Sequence, residues 1–103
     1  MLGPILELPE ETYKRIGEAM ERDGISVGYR DDALTFREQM ALIDGRMMLR
    51  GEKRFVHLCF TRKHAFNPLL WAFDFRLVGR VERRLIALGA RSVQWDAPPS
   101  ELK

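Results

Sequence analysis

One cysteine, Cys59, and two histidines, His57 and His64, are all the imidazole and thiol that 103 residues supply. A lone thiol excludes an internal disulfide, and a small domain without such staples fits a reducing compartment, the cytoplasm by default, better than a secreted setting. Three such ligands with no convincing fourth, at a spacing that matches no usual zinc pattern, give no reason to expect a metal. Long hydrophobic runs are missing as well. The most apolar stretch, Leu69 to Phe73, is broken by Asp74 and again by Arg76, far short of the ~20 residues a membrane helix requires. The opening MLGPILELPEE has no basic segment ahead of its apolar residues, so it does not read as a signal peptide. No repeat or low-complexity tract points to an array. Ser26, Ser92 and Ser100 stand in no nucleophile-elbow context.

What is present suits a packed domain. A composition of 46% hydrophobic and 31% charged residues lies outside the disordered class, and a chain of this length hides roughly two-thirds of the surface its unfolded form exposes. Residues 1–96 are expected to form one domain, with 97–103, including Pro98 and Pro99, a loose tail. The net charge of +2 conceals an imbalance. Met1–Asp44 holds ten acidic and five basic residues, whereas Gly45–Lys103 holds five acidic and twelve basic. Opposite halves either pack against each other or leave a basic face for an anionic partner.

Pro9 ahead of Glu10 and Glu11 predicts a helix from Pro9 to Asp23, with proline in the first turn and carboxylates at the positive end of the dipole. Tyr13, Ile16 and Met20 form its apolar face, and Gly24 ends it. Ile25 to Tyr29 reads as a strand. Asp31 to Asp44 is either a helix carrying Phe36, Met40 and Ile43, or, preferred, a helical turn followed by strands Gln39–Ile43 and Arg46–Leu49 joined at Asp44-Gly45, a pair suited to a type I′ turn. A second turn at Arg50-Gly51-Glu52-Lys53 leads into a strand from Arg54 to Thr61. Asn67 before Pro68 starts a long helix to Leu88 with an apolar stripe of Leu70, Phe73, Leu77, Val81, Leu85 and Leu88. The competing reading makes Trp71 to Leu77 a strand. Gly89 stops the helix, and Arg91 to Trp95 form a last strand. The fold class expected is therefore α+β: a largely antiparallel meander sheet covered by an N-terminal helix and a long C-terminal helix, with Trp71, Phe73, Leu77, Val81 and Leu85 in the core.

On the long helix, Arg76, Arg80, Arg83 and Arg84 fall at relative positions 0, 4, 7 and 8 and make one basic stripe. Such a stripe is either the solvated face of an amphipathic helix or a site for an acidic protein, a phosphate or a nucleic acid. Aromatics do not interleave with it as a single-strand binding groove requires, so nucleic acid is weakly signalled. Asp74 falls within the apolar arc, where a carboxylate needs a partner; a bond inside the fold is the expected use. His57 and Cys59 share one strand face, but such neighbours splay too far for a nucleophile pair, and a buried thiol beside a polar residue is the expectation.

From Gln39 onward the chain resembles the GNAT family of N-acetyltransferases: QMALIDGRMML is similar to their central hairpin, RFVHLCF to the next strand, and LIALGARSVQWD to a helix end and strand. The resemblance implies acetyl-CoA as cofactor, with Arg76, Gly79 and Arg80 of Arg76-Leu77-Val78-Gly79-Arg80-Val81 as the pyrophosphate loop. Val81 stands where the family has a second glycine or alanine, which implies a degenerate, non-catalytic member of a kind also found among phage virion proteins. ILELPEETYKRIGEAMERDGIS resembles ribbon-helix-helix DNA-binding proteins, which implies a dimer with a strand in the major groove. Glu7 stands where that strand would read bases. The functional expectation is a non-catalytic binding or adaptor module, a phage or mobile-element accessory protein among other settings. It would use Arg76, Arg80, Arg83 and Arg84 against an acidic protein or other anion, without cofactor and without membrane. The alternatives are an acetyl-CoA-dependent acetyltransferase and a DNA-binding protein.

Overall fold

The computed structural model describes residues 2–61 and 67–93. In chain order they form β1 (Leu2–Glu7), α1 (Glu10–Arg22), β2 (Ser26–Arg30), β3 (Ala33–Glu38), β4 (Ala41–Arg50), β5 (Lys53–Phe60), α2 (Pro68–Ala87) and β6 (Arg91–Val93). The strands make a single antiparallel sheet in the order β2-β3-β4-β5-β1-β6, so a four-stranded meander is extended by β1, which lies between β5 and the final strand. The α+β class, the two covering helices and the strand that follows the second are as the sequence predicts. Residues 97–103, His64 and the last two residues of the expected strand Arg91–Trp95 lie outside the described residues.

Alternation of side chains across the strands gives the sheet two faces. Leu34 and Phe36 of β3, Ala41 and Ile43 of β4, Val56 and Leu58 of β5 and Leu6 of β1 share one face. They pack with Ile16 and Met20 of α1 and with Leu77, Val78, Val81 and Leu85 of α2 in one continuous core. Both helices therefore lie on the same face of the sheet. On the other, Ile5 and Phe55 form a second, smaller cluster with Met48 and Val93. The helix ends follow the sequence signals. Pro9 stands at the N-cap position just ahead of α1 and the Asn67 side chain accepts the Leu69 N–H at 3.1 Å to start α2, while Gly24 and Gly89 take positive φ of 78° and 113° where the helices stop.

Three expectations are corrected. Asp44-Gly45 is not a turn but the middle of the ten-residue β4, and the reversal lies at Gln39-Met40, with Gln39 at a φ of 52°. Gly45 is used for close packing: a Cβ there would meet Val56 Cγ2 at 2.8 Å and Phe36 Cε2 at 3.1 Å. Secondly, neither the helix Asp31–Asp44 nor a helical turn forms ahead of β4. Leu34 and Phe36 point inward while Thr35 and Arg37 point away, and this period of two makes the segment strand β3. Thirdly, Trp71 and Phe73 are not core residues. Trp71 is half-buried and Phe73 is 46% exposed, because the buried arc of α2 runs through Asp74, Leu77, Val78, Val81 and Leu85. The strand reading of Trp71 to Leu77 does not occur.

Gly45→Ala is expected to lower unfolding stability by about 1–3 kcal/mol, the usual cost of overpacking a filled core. Gly28→Ala, whose Cβ meets only Thr35 Cβ at 3.7 Å, is the matched strand control and should cost less in the same urea titration.

Candidate functional site

The candidate site is the outward face of α2, and its orientation is set by polar contacts along the helix. Near the N-terminal end, the fully buried Asp74 accepts the Leu42 backbone N–H at 2.9 Å. β5 stops at Phe60, opposite Ile43, so Ala41 and Leu42 run past the end of that strand, and the carboxylate supplies an acceptor where the ladder does not. At the other end, the buried Thr12 of α1 donates its hydroxyl to the Leu88 carbonyl at 2.8 Å, satisfying an orphan acceptor at the helix terminus. Asp23, which ends α1, is gripped by Arg84 through two bonds of 2.5 and 2.7 Å. Arg80 donates to the Asp23 carbonyl at 3.1 Å and forms an ion pair with Glu38.

The four arginines thus divide into two pairs. Arg80 and Arg84 are half-buried and engaged by Glu38 and Asp23. Arg76 and Arg83 are exposed and carry no ion pair among the described residues. Beside Arg76 the same helix exposes Phe73 and Leu69, the latter 80% accessible. An open cleft of about 270 Å³ lies between the helix ends, lined by Asp23, Arg80, Arg83, Arg84 and Ala87. It is smaller and more polar than the usual small-molecule pocket, and suits an acidic side chain better than a drug-sized ligand.

Sequence reading missed Asp23 and Glu38. A signal existed for the first: a carboxylate in the last turn of a helix opposes the dipole and calls for a cation nearby. The Arg84 hydrogen bond holds the Asp23 carboxyl below its ordinary range, with the charges of Arg84 and Arg80 adding to the effect.

Asp74 has the internal role expected of it. Its place in the buried arc is filled by a hydrogen-bonded carboxylate. His57 and Cys59 share a face, opposite Arg46 and Asp44 of β4. The Cys59 thiol donates to the His57 carbonyl at 3.5 Å and not to its imidazole. Burial pushes the thiol up and the imidazole down, so both tend to neutrality, the reverse of an activated thiolate-imidazolium pair. Burial likewise raises Asp44. Among the described residues no group of three His, Cys, Asp or Glu side chains is arranged to hold a metal, and no helix is long and apolar enough to cross a membrane.

The six residues Arg76 to Val81 that would form the GNAT-like pyrophosphate loop lie inside α2, where backbone N–H groups serve the helix itself. The stretch resembling a DNA-reading ribbon contains β1, both of whose edges are paired within the chain, to β5 and β6. No known family model matches the chain, and no curated protein or solved structure matches it either.

Two outcomes test the internal contacts. Asp74→Ala leaves the Leu42 N–H without this acceptor and is expected to cost about 1–3 kcal/mol in urea unfolding, with Asp74→Asn, which keeps a carbonyl oxygen, costing less. The second is a pH profile. Because folding lowers the His57 pKa from 6.5, the unfolded chain binds the extra proton first, so its contribution is intact above pH 6.5 and declines as pH falls through that value. The denaturation midpoint should fall between pH 7 and 5, and His57→Gln should flatten that window. Asp23, also lowered, loses its contribution only below its ordinary value of 3.8.

Proposed function

We propose that this protein is a non-catalytic binding module that presents the outward face of α2 to an acidic protein surface. One observation carries the reading: Arg76 and Arg83 stand exposed and without an ion pair among the described residues on a helix whose orientation is fixed, and Leu69 and Phe73 are exposed beside Arg76. Arginine and aromatic side chains are the groups enriched where protein interfaces gain most of their energy, and a pre-oriented helix loses little entropy on docking. Arg80 and Arg84 belong to the same stripe but act as its footing, since their charges are shared with Glu38 and Asp23. An acidic helix or loop is the partner chemistry that fits. Its carboxylates would meet Arg76 and Arg83 in bidentate geometry, while its apolar groups cover Phe73.

The test separates the exposed pair from the footing. Binding to a glutamate-rich peptide carrying leucine and phenylalanine, followed by calorimetry at low and at physiological salt, is expected to be lost in Arg76→Glu/Arg83→Glu with the fold unchanged. Arg84→Glu should instead lower stability. Unchanged peptide binding by the double variant would remove the ridge from the function. Acetyl-CoA serves as the competing ligand. The adaptor reading expects a flat titration, whereas saturable binding abolished by Gly79→Glu would replace it with the acetyltransferase reading.

A further inference from the structure

Among the described residues, nothing blunts the edge of the sheet at β2. Among the described strands it pairs with β3 alone, through five consecutive partners from Ser26↔Arg37 to Arg30↔Ala33 without a bulge. Ser26, Gly28, Tyr29 and Arg30 are exposed, and Val27 is half-buried. Edge strands in proteins that stay apart are shortened, bulged, or carry proline, lysine or an inward-pointing charge, because an open row of N–H and C=O groups templates another strand. The sequence SVGYR has none of these in its interior, and its one charge, Arg30, sits at the end.

We propose that β2 joins two copies of this chain, antiparallel, about a twofold axis at Gly28. The strand is complementary to itself in that register. Gly28 meets Gly28 of the second copy, so no side chain crowds the axis. Val27 of each copy lies opposite Tyr29 of the other, a β-branched residue against an aromatic one, which is among the favourable cross-strand pairs. Both belong to the face that carries the helices, since Val27 is opposite the core residue Phe36 and Tyr29 opposite Leu34. Tyr29 is 56% exposed in the single chain, although its hydroxyl lies over Gly17 of α1, so a ring already positioned gains cover on pairing. Arg30 faces Ser26, which keeps the two cations about 14 Å apart along the strands. A shifted register would lose the Val27–Tyr29 match on at least one side. The result is an isologous pair with one sheet of twice the width.

The test is sedimentation equilibrium of the full chain from micromolar to millimolar concentration. The unsubstituted protein should form a reversible dimer. Gly28→Lys and Gly28→Glu, each placing like charges against each other at the axis, should weaken it several-fold or more. Both should fold, because a Cβ at Gly28 makes only an ordinary contact, 3.7 Å from Thr35 Cβ. Circular dichroism checks this. An equimolar mixture of the two variants should recover a heterodimer, since lysine then faces glutamate. A monomer at every concentration, variants that self-associate as tightly as the parent, or a mixture that stays monomeric while the parent dimerises would each overturn the proposal. None of these outcomes bears on the α2 face.

Discussion

The Asp74 carboxylate on the Leu42 backbone N–H is the contact on which the arrangement of this molecule turns. A buried charge is costly unless it is hydrogen-bonded, and a buried amide is costly unless it has an acceptor. Each group meets the other's requirement at the point where β5 ends and β4 continues. Because Asp74 must face the sheet, the rotation of α2 about its own axis is decided. Leu77, Val78, Val81 and Leu85 follow inward, and Phe73 and Arg76 are turned out. What the helix shows to a partner is thus set by one carboxylate on its hidden side.

The imbalance of charge between the two halves of the chain is met in part at their junction. Glu10, Asp23 and Glu38 come from the acidic half, and they pair with Arg54, Arg84 and Arg80 from the basic half. Arg54 also lies 3.8 Å from the centre of the Tyr13 ring, so that pair is backed by a cation–π contact. These pairs are partly exposed, and exposed ion pairs add little stability individually. Their effect is on orientation: Arg84 and Arg80 fix α2 against the end of α1 and against β3, and Arg54 ties the start of α1 to β5. Of the four arginines of the stripe, Arg76 and Arg83 are left exposed and without an ion pair among the described residues.

Periodicity made the long elements legible. Asn67-Pro68 and Gly89 bracket α2, Pro9 and Gly24 bracket α1, and the alternation of Val56, Leu58 and Phe60 marks β5. Two local signals misled. Asp44-Gly45 has the chemistry of a tight turn, but the space it leaves is taken by Phe36 and Val56, a demand that arises only when β3 and β5 close in from either side. Phe73 has the character of a core residue, yet Asp74 outranks it, because an unpaired Leu42 amide is a tertiary requirement invisible from spacing. The basic stripe was legible as a pattern. Its division into engaged and exposed arginines was not, since Glu38 and Asp23 lie far from α2 in the chain.

The Asp74 carboxylate of α2 completes the sheet beyond the end of β5, and amide hydrogen exchange at Leu42 puts this to the test. Protection of the Leu42 N–H is expected to be comparable to that of Ile43 and Phe36 inside the sheet, although no β5 residue is paired with it. Exchange at Leu42 as fast as at Met40 in the preceding turn would contradict it.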